Sequence, residues 1–301
     1  MIDLLPTKGG ALIPVAGGAP FNVARILARL TGHCAFLTTL SEDRFGEILR
    51  RELLAAGVSV LVHQRVAAPT TLAMAQLDAD GSADYRFYGE GTAAALLSGE
   101  HVPGDFFGGL RALALGGLGL VLEPLRSTLV ELVRSAPAGL TVVLDPNCRP
   151  RAVADPVAYR RTVELLLART TILKVSRHDL LFLAPESDPL RYCRELLSHG
   201  PSIIVMTDGP HEILVVTPQG ARSVPVPEVT VDDTIGAGDA LVAGLLAWLD
   251  EHPELALADA GLDLLEHAVA RAAEVAGAVC TMRGANLPER FSWGDARVSL
   301  R

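Results

Sequence analysis

The sequence predicts an α/β fold with a mostly parallel central sheet and a small added β-sheet, and two patterns in the chain lead to this prediction. From about residue 112 onward, short apolar runs alternate with amphipathic stretches whose apolar residues recur every three or four positions. That alternation is typical of βαβ units, in which helices cover the faces of a parallel sheet. In the first third of the chain, strand-like segments are separated by turn residues instead.

The elements of the parallel layer follow from these periods. Buried strands are predicted at 112–117, 141–145, 171–175 and 202–207, and helices at 123–135, 155–169 and 189–198. A further helix is expected over 240–249, because its large apolar residues share one face.

The first third of the chain predicts the small sheet. Its strand-like segments read LIPVAG, VSVLVHQ, TLAMAQLD and DYRFY, and helices are expected at 20–31 and 44–56. No Pro/Ser-rich linker or internal repeat marks an independent second domain. We therefore expect one domain over 1–301, with a lid built from about 8–16 and 58–92 above a cleft.

Composition disfavours several classes of protein. Half of the 301 residues are apolar, and the net charge of −9 comes without a dense Lys/Arg run, so nucleic acid is not an expected partner. No window approaches the roughly 18 apolar residues of a membrane span, and no secretory leader is recognisable, so we expect a cytoplasmic protein without a membrane partner. The four cysteines form no CxxC pair and the eight histidines show no ligand spacing, which disfavours disulfides and zinc.

One glycine-rich turn contains the main candidates for catalytic groups. In VTVDDTIGAGDALVAGLLAWLD, residues 229–250, Gly236 and Gly238 precede a helix. Amides at a helix N-terminus lack acceptors within the helix, so this turn suits a phosphoryl oxyanion. If the only role of Asp239 were to help bind phosphate, its negative charge would repel that ligand. As a general base, Asp239 would instead take the proton of an acceptor hydroxyl. The alternative is an ordinary acidic residue that stabilises the first turn of a helix.

A second diglycine lies in AGGAPFNVARILARLTG, residues 16–32. Gly17 and Gly18 allow a ligand to approach the backbone closely, and the Asn22 amide offers a donor and an acceptor to sugar hydroxyls. The alternative is a tight turn followed by an Asn in the first helical turn.

Together, the two stretches resemble the two signatures of the ribokinase-like (PfkB) carbohydrate kinase family. MIDLLP, PTTLAMAQLD and LDPNCRP are similar to further segments of that family in the same order, and the resemblance covers nearly the whole chain. The details look most like the fructokinase branch.

The resemblance implies a three-layer α/β/α sandwich with a β-sheet lid, and ATP-dependent phosphorylation of a sugar hydroxyl. It implies that Asp239 is the catalytic base and that Gly236, Ala237 and Gly238 form the anion hole. The sugar-binding positions that it implies are Asp3, Gly17, Gly18 and Asn22, to which we add Arg86 and Arg149 as candidates. The nucleotide and ion positions are Lys174, Thr207, Gly209 and Asn286 for ATP, Asn147 and Asp179 for Mg²⁺, and Asp233 for K⁺. Family members commonly form homodimers through the lid.

Four departures from the family pattern bear on function. Family members carry a central strand before the segment that resembles MIDLLP, so we expect the natural start to lie upstream of Met1. Gly89 and Ala94 stand where fructokinase-like relatives have Arg and Asp, which leaves the exact sugar open. Asp179 replaces a Glu, and Glu212 replaces a glycine where the ATP phosphates are expected.

The function predicted from these observations is an ATP-dependent kinase acting on fructose or a related ketose or keto-sugar acid. Two alternatives stay open: a ribose or nucleoside kinase, and a degenerate homologue that binds sugar or nucleotide without turnover. A nicotinamide dehydrogenase is disfavoured, because no GxGxxG fingerprint follows the first strand.

Overall fold

A computed structural model describes residues 1–7, 9–77 and 83–295. The helices are α1 (Ala19–Thr31), α2 (Arg44–Ala55), α3 (Leu125–Ser135), α4 (Pro156–Leu167), α5 (Arg177–Leu183), α6 (Pro189–Leu197), α7 (Ala237–Glu251) and α8 (Leu262–Cys280). The strands are β1 (Ile2–Pro6), β2 (Leu12–Ala16), β3 (Cys34–Phe36), β4 (Val58–Val60), β5 (Leu72–Leu77), β6 (Ala83–Tyr88), β7 (Ala112–Gly116), β8 (Thr141–Asp145), β9 (Ile172–Ser176), β10 (Ile203–Thr207), β11 (Ile213–Thr217) and β12 (Gly220–Val224).

The central sheet has six strands in the order β12-β11-β10-β9-β8-β7. Strands β7 to β10 run parallel, as the alternating pattern predicts, and β11 and β12 are antiparallel additions. Only residues 218–219 separate β11 from β12. So short a loop allows a hairpin but not the crossover that parallel pairing requires.

Side-chain alternation along the strands builds two apolar layers, one on each face of this sheet. In β8, Val142 and Leu144 belong to the cluster that includes residues of α3 to α6, whereas Val143 belongs to the cluster on α7 and α8. Successive side chains of a strand point to opposite faces, so each strand contributes to both layers. The three-layer α/β/α sandwich is therefore confirmed.

The lid is a four-stranded sheet in the order β2-β1-β5-β6. Three predicted segments, LIPVAG, TLAMAQLD and DYRFY, supply β2, β5 and β6, and β1 joins them outside the expected lid ranges. The fourth segment, VSVLVHQ, does not belong to this sheet. Its strand β4 pairs in parallel with β3, because α2 connects the two strands as a βαβ unit. Residue 8 and residues 78–82 of the expected lid lie outside the described part of the chain.

In the described ranges, no helix combines the length and the apolar character that crossing a bilayer requires.

Candidate active site

A cavity of about 2240 Å³ is lined by both the lid and the sandwich, and its lining includes the C-terminal ends of the four parallel strands β7 to β10. Its walls include the start of α1, the start of α7 and the loop that follows β8, and the lid contributes Asp3, Tyr85 and Phe87. Open α/β sheets bind ligands at this carboxyl edge. The cavity therefore brings the two glycine-rich stretches of the sequence into one place.

The turn before α7 has a backbone that only glycine tolerates. Gly236 has a φ of 82°, and a Cβ at this position would lie 2.4 Å from the Cβ of Ala285. A Cβ at Gly238 would lie 2.8 Å from the Nζ atom of Lys174. The turn is thus held between the loop after α8 and the buried lysine.

The amides at this helix start fit an anion, with one adjustment to the expected set. The Ala237 amide donates to the Thr234 carbonyl at 3.3 Å, so it is already engaged. The amides of Gly238 and Asp239 have no acceptor among the described residues. These two amides, together with the positive end of the helix dipole, are suited to bind an anion.

Asp239 is buried at this helix start, with 6% of its surface exposed. Its Oδ2 accepts a hydrogen bond from Asn22 Nδ2 at 2.8 Å, and Asn147 Nδ2 lies 3.5 Å from its Oδ1. Burial raises the pKa of Asp239 to about 6, while the Asn22 bond opposes that rise. A carboxylate poised near neutral pH is suited to accept a proton from a substrate hydroxyl.

Two buried acceptors in the cavity lack a protein donor. Asp3 Oδ1 and Asn22 Oδ1 are buried without a hydrogen-bond partner among the described residues. Burial raises the pKa of Asp3 to about 6, while the Met1 ammonium group and Arg149 lower it. Because unsatisfied buried acceptors cost free energy, a ligand with hydroxyl donors is the expected partner for both. A Cβ at Gly17 would lie 2.2 Å from Asp3 Oδ2, which explains the glycine there.

Lys174, predicted to bind the nucleotide, lines the cavity and also forms a buried ion pair. Its Nζ donates to Asp145 Oδ2 at 3.0 Å, and the residue is 5% exposed beneath the glycine turn. Burial alone would lower the pKa of Lys174, but Asp145 and Asp179 outweigh it and raise that pKa, so the lysine stays charged. Sequence reasoning did not single out Asp145, although its place at the start of the DPN segment was a usable signal.

The Asp179 carboxylate accepts three hydrogen bonds that hold a loop in place. Few of its oxygen lone pairs are therefore left for a metal ion. Asp179 accepts hydrogen bonds from the Cys148 amide at 2.7 Å, and from the Ser176 amide and hydroxyl at 2.7 and 2.6 Å. These bonds fasten the loop after β8, in which Asn147 has a φ of 43°, to the start of α5. Arg149 stands exposed in the same loop and lines the cavity.

Arg86 is the lid side chain expected at the substrate, but other side chains of the lid line the cavity. The Arg86 guanidinium lies 5.7 Å from the ring centroid of Tyr88, and neither residue lines the cavity. Tyr85 and Phe87 do line it. Successive side chains of β6 point to opposite faces, so Arg86 cannot share their direction. Strand alternation was the signal that would have found Tyr85 and Phe87.

The remaining predicted positions divide between the cavity and the surface. Thr207 and Gly209 line the cavity at the end of β10. Asn286 is exposed and accepts from Arg25 Nη2 at 3.0 Å, outside the lining. Asp233 accepts from the amides of Ile235 and Gly284 at 3.0 and 2.9 Å, and so fastens the turn to the loop after α8.

Glu212, expected near the ATP phosphates, contacts strand β12. Its Oε2 is 3.3 Å from the Ser223 hydroxyl on β12, and the residue does not line the cavity. In the described part of the chain, no group of three or more His, Cys, Asp or Glu side chains is arranged to hold a metal ion.

Comparison with known proteins gives one consistent picture. A sequence model described as "pfkB family carbohydrate kinase" matches residues 8–290. The chain is 35% identical over 255 residues to a fructokinase of Rhizobium leguminosarum bv. trifolii, covering 83% of this chain and 77% of that protein. The crystal structure of fructokinase with bound ATP from Xylella fastidiosa is similar with a TM-score of 0.86 and 27% identity, covering 95% of this chain and 91% of that one. A Vibrio cholerae O395 fructokinase in fructose, ADP and calcium ion bound form is similar with a TM-score of 0.80 and 26% identity, over 94% of this chain and 91% of that one.

Proposed function

Because the chain belongs to the pfkB family of carbohydrate kinases, we propose that it transfers the γ-phosphoryl group of ATP to a hydroxyl of fructose. One observation carries this proposal. The Asp239 carboxylate, buried beside two free helix-start amides, is held by Asn22 at 2.8 Å in a cavity that also contains the unpaired oxygen of Asp3.

Each group then has a distinct role. Asp3 Oδ1 and Asn22 Oδ1 accept hydrogen bonds from sugar hydroxyls and so orient the acceptor hydroxyl toward Asp239. The ionised Asp239 takes the proton of that hydroxyl as its oxygen attacks the γ-phosphorus. The amides of Gly238 and Asp239 stabilise the negative charge on the transferring phosphoryl oxygens.

We place the phosphates of ATP between this helix start and the end of β10, where Thr207 and Gly209 line the cavity. Magnesium commonly binds through substrate phosphates and one or two protein ligands. Asn147 offers an amide oxygen for Mg²⁺, which when bound would neutralise phosphate charge. We assign K⁺ to the turn held by Asp233.

The lid also supports a proposed homodimer. Leu12 and Ile13 on β2 are 45% and 52% exposed, and Tyr88 on β6 is 46% exposed. Large exposed apolar side chains on the edge strands of one small sheet are suited to contact with a second copy. We further propose that the enzyme works in the cytoplasm.

The decisive experiment follows ADP release with Mg·ATP and a panel of acceptors: fructose, other ketoses, 2-keto-3-deoxygluconate, ribose and nucleosides. We expect the highest kcat/KM with fructose. Asp239→Asn should lower kcat by at least about a hundredfold, the scale expected when a general base is removed. Asp259→Asn, an exposed change of the same kind, should leave kcat unaltered.

Three results would contradict the proposal. They concern the catalytic base, the acceptor sugar and turnover itself. Turnover retained in Asp239→Asn would remove the assigned base. Preference for ribose or a nucleoside would favour that alternative acceptor class. Binding of sugar and ATP without ADP release by the unaltered protein would identify a degenerate homologue.

A further inference from the structure

One face of α1 carries three polar side chains that bind other parts of the chain. Asn22, Arg25 and Arg29 are spaced by three and four residues, so their side chains lie on one side of the helix. Asn22 donates to Asp239 at 2.8 Å, a contact that the proposed reaction already uses. The proposed reaction gives no role to the two arginines, which lie about one and two turns further along α1.

Arg29 binds the loop that follows α8 with both of its terminal nitrogens. Nη1 donates to the Leu287 carbonyl at 2.7 Å, and Nη2 donates to the Pro288 carbonyl at 2.6 Å. The planar guanidinium group presents these N–H groups in a fixed fork, which the single ammonium group of a lysine cannot copy. One side chain therefore holds two neighbouring peptide groups in place.

Arg25 binds the same loop from a position nearer the start of α1. Its Nη2 donates to Asn286 Oδ1 at 3.0 Å and lies 3.0 Å from Glu52 Oε2 on α2. The guanidinium carbon lies 5.5 Å from the ring centroid of Phe21, and only 16% of the Arg25 side chain is exposed. Arg25 and Arg29 thus attach three consecutive residues of the loop to α1.

The loop depends on such attachments because it lacks regular structure. Residues 281–291, all of them described, form neither helix nor strand, and Gly284 has a φ of 66°. Backbone polar groups outside helices and sheets need partners elsewhere. Side chains of α1 supply these partners at Leu287 and Pro288, and so they help to fix where the loop lies.

The loop in turn packs against the glycine turn before α7. Ala285 is buried, and its Cβ fills the space beside Gly236, where an added Cβ would lie only 2.4 Å away. The Gly284 amide donates to Asp233 Oδ2 at 2.9 Å, while Asp233 Oδ1 accepts from the Ile235 amide at 3.0 Å. A displacement of the loop would therefore reach the turn through packing and through one shared carboxylate.

We propose that Arg25 and Arg29 are positioning residues for phosphoryl transfer. They fix the loop 284–288, and this loop fixes the turn whose free amides face the transferred group. The cavity lining includes neither arginine, so both act through the loop and not by contact with a substrate. For its effect on turnover, this inference rests on the proposed kinase reaction.

Loss of these attachments should affect the chemical step more than sugar binding. The amides of Gly238 and Asp239 stabilise the phosphoryl oxygens only if they point at the positions that these oxygens take in the transition state. A misplacement of about 1 Å can lower a rate by about a hundredfold. Asp3 and Asn22 lie outside the loop, so the contacts proposed for the sugar remain.

The first test compares Arg29→Met with the unaltered chain. Methionine is a comparably good helix former but has no N–H group. We expect kcat to fall about tenfold or more, and KM for fructose to stay within error of the unaltered enzyme. Arg29→Lys can bind only one of the two carbonyls well, so its kcat should lie between the two. Arg51→Met, the same change at an exposed position of α2, should leave kcat unaltered.

Arg25 has its own matched pair of variants. Arg25→Met removes the bond to Asn286 and should lower kcat in the same way. Because it also removes the ion pair with α2, the control is Glu52→Gln, which weakens that pair and leaves the bond to the loop. Glu52→Gln should keep kcat within error of the unaltered enzyme.

Hydrogen–deuterium exchange gives a readout that does not depend on turnover. In Arg29→Met, the amides of residues 284–288 and of residues 235–240 should both exchange faster, because the loop and the turn open together. The amides of β10, Ile203–Thr207, should exchange at an unchanged rate. All rates are compared below the melting temperature of each variant, so that loss of folded protein does not lower kcat.

Three outcomes would overturn the inference. The first is an unaltered kcat in Arg29→Met, and the second is faster exchange confined to the loop. The third is a raised KM for fructose at unchanged kcat, which would locate the effect at the sugar. Absence of ADP release from the unaltered protein would contradict the proposed function instead, and the exchange of residues 235–240 would then decide this inference by itself.

Discussion

Asp239 and Asn22 are 217 positions apart in the chain, yet their side chains share a hydrogen bond of 2.8 Å. That bond fixes the direction of a carboxylate that would otherwise be free to rotate, and it leaves Asn22 Oδ1 for a ligand. Burial, with Asp145 nearby, raises the pKa of Asp239 to about 6 despite this bond and the charge of Lys174. The Asp239 carboxyl group is therefore close to half-ionised in slightly acidic solution.

The pH dependence follows from that pKa. An aspartate with a pKa of about 6 is protonated below this pH and ionised above it, and only the ionised form accepts a proton. We therefore expect kcat/KM to fall as the pH drops below about 6 and to level off above it. The measurement is kcat/KM for fructose at saturating Mg·ATP across this range.

Asp3 serves as the control for this profile, because its pKa is also raised to about 6. In Asp3→Asn the acidic limb should remain but lose steepness, since one titrating carboxylate is gone. A kcat/KM that does not change with pH below about 6 would contradict the assignment of Asp239 as the base.

At the scale of the elements, α7 and α8 pack unusually closely at Gly244. A Cβ at this position would lie 2.7 Å from the Cα of Ala272 and 3.1 Å from Cγ2 of Val275. Ala243, Ala247 and Ala268 add further small side chains to the buried clusters formed by these helices. Close packing here fixes where α7 begins, and so where Asp239 and its amides lie.

Gly244→Val should therefore lower the free energy of unfolding by about 1 to 3 kcal/mol, because the added methyl groups overpack the contact between the helices. Urea denaturation measures this as a lower midpoint at unchanged slope. Gly104→Ala is the matched control, since a Cβ at this position meets nothing within 4 Å. Equal midpoints for the two variants would mean that α8 can move away from α7 without cost.

At the scale of the whole molecule, the lid and the sandwich contribute different groups to one site. Asp3 on β1 belongs to the lid, whereas Asn22 and Asp239 belong to the sandwich. We therefore expect the lid to contribute to sugar binding more than to nucleotide binding, which we place between the start of α7 and the end of β10.

Two variants of the lid test this division. Asp3→Asn should raise KM for fructose about tenfold or more, because a hydrogen bond to a charged group contributes about 1.5 to 3 kcal/mol. KM for ATP should stay within error of the unaltered enzyme. Arg86→Ala, on the opposite face of the same sheet, should change neither constant. A larger loss in Arg86→Ala than in Asp3→Asn would contradict the observed direction of these side chains.

Local sequence patterns predicted most of the helices well and some strands not at all. Helices expected at 20–31 and 44–56 are Ala19–Thr31 and Arg44–Ala55, because amphipathic periods and capping residues act locally. Strands β1, β3, β11 and β12 and helix α5 were not predicted. They are short, and a run of a few apolar residues does not by itself distinguish strand from buried helix.

Sequence patterns alone were enough to predict the class of fold and the two glycine-rich stretches that contain the proposed base and the proposed sugar-binding amide. Those features depend on backbone freedom, on helix starts and on apolar period, all of which are local. Four features became visible only once the chain was folded. Lys174 pairs with Asp145, and Asp179 fastens a loop. Tyr85 and Phe87, and not Arg86, line the cavity, and β4 pairs with β3 outside the lid. These depend on partners distant in the chain, because the pairing of strands and buried charges is settled by which surfaces meet once the layers pack.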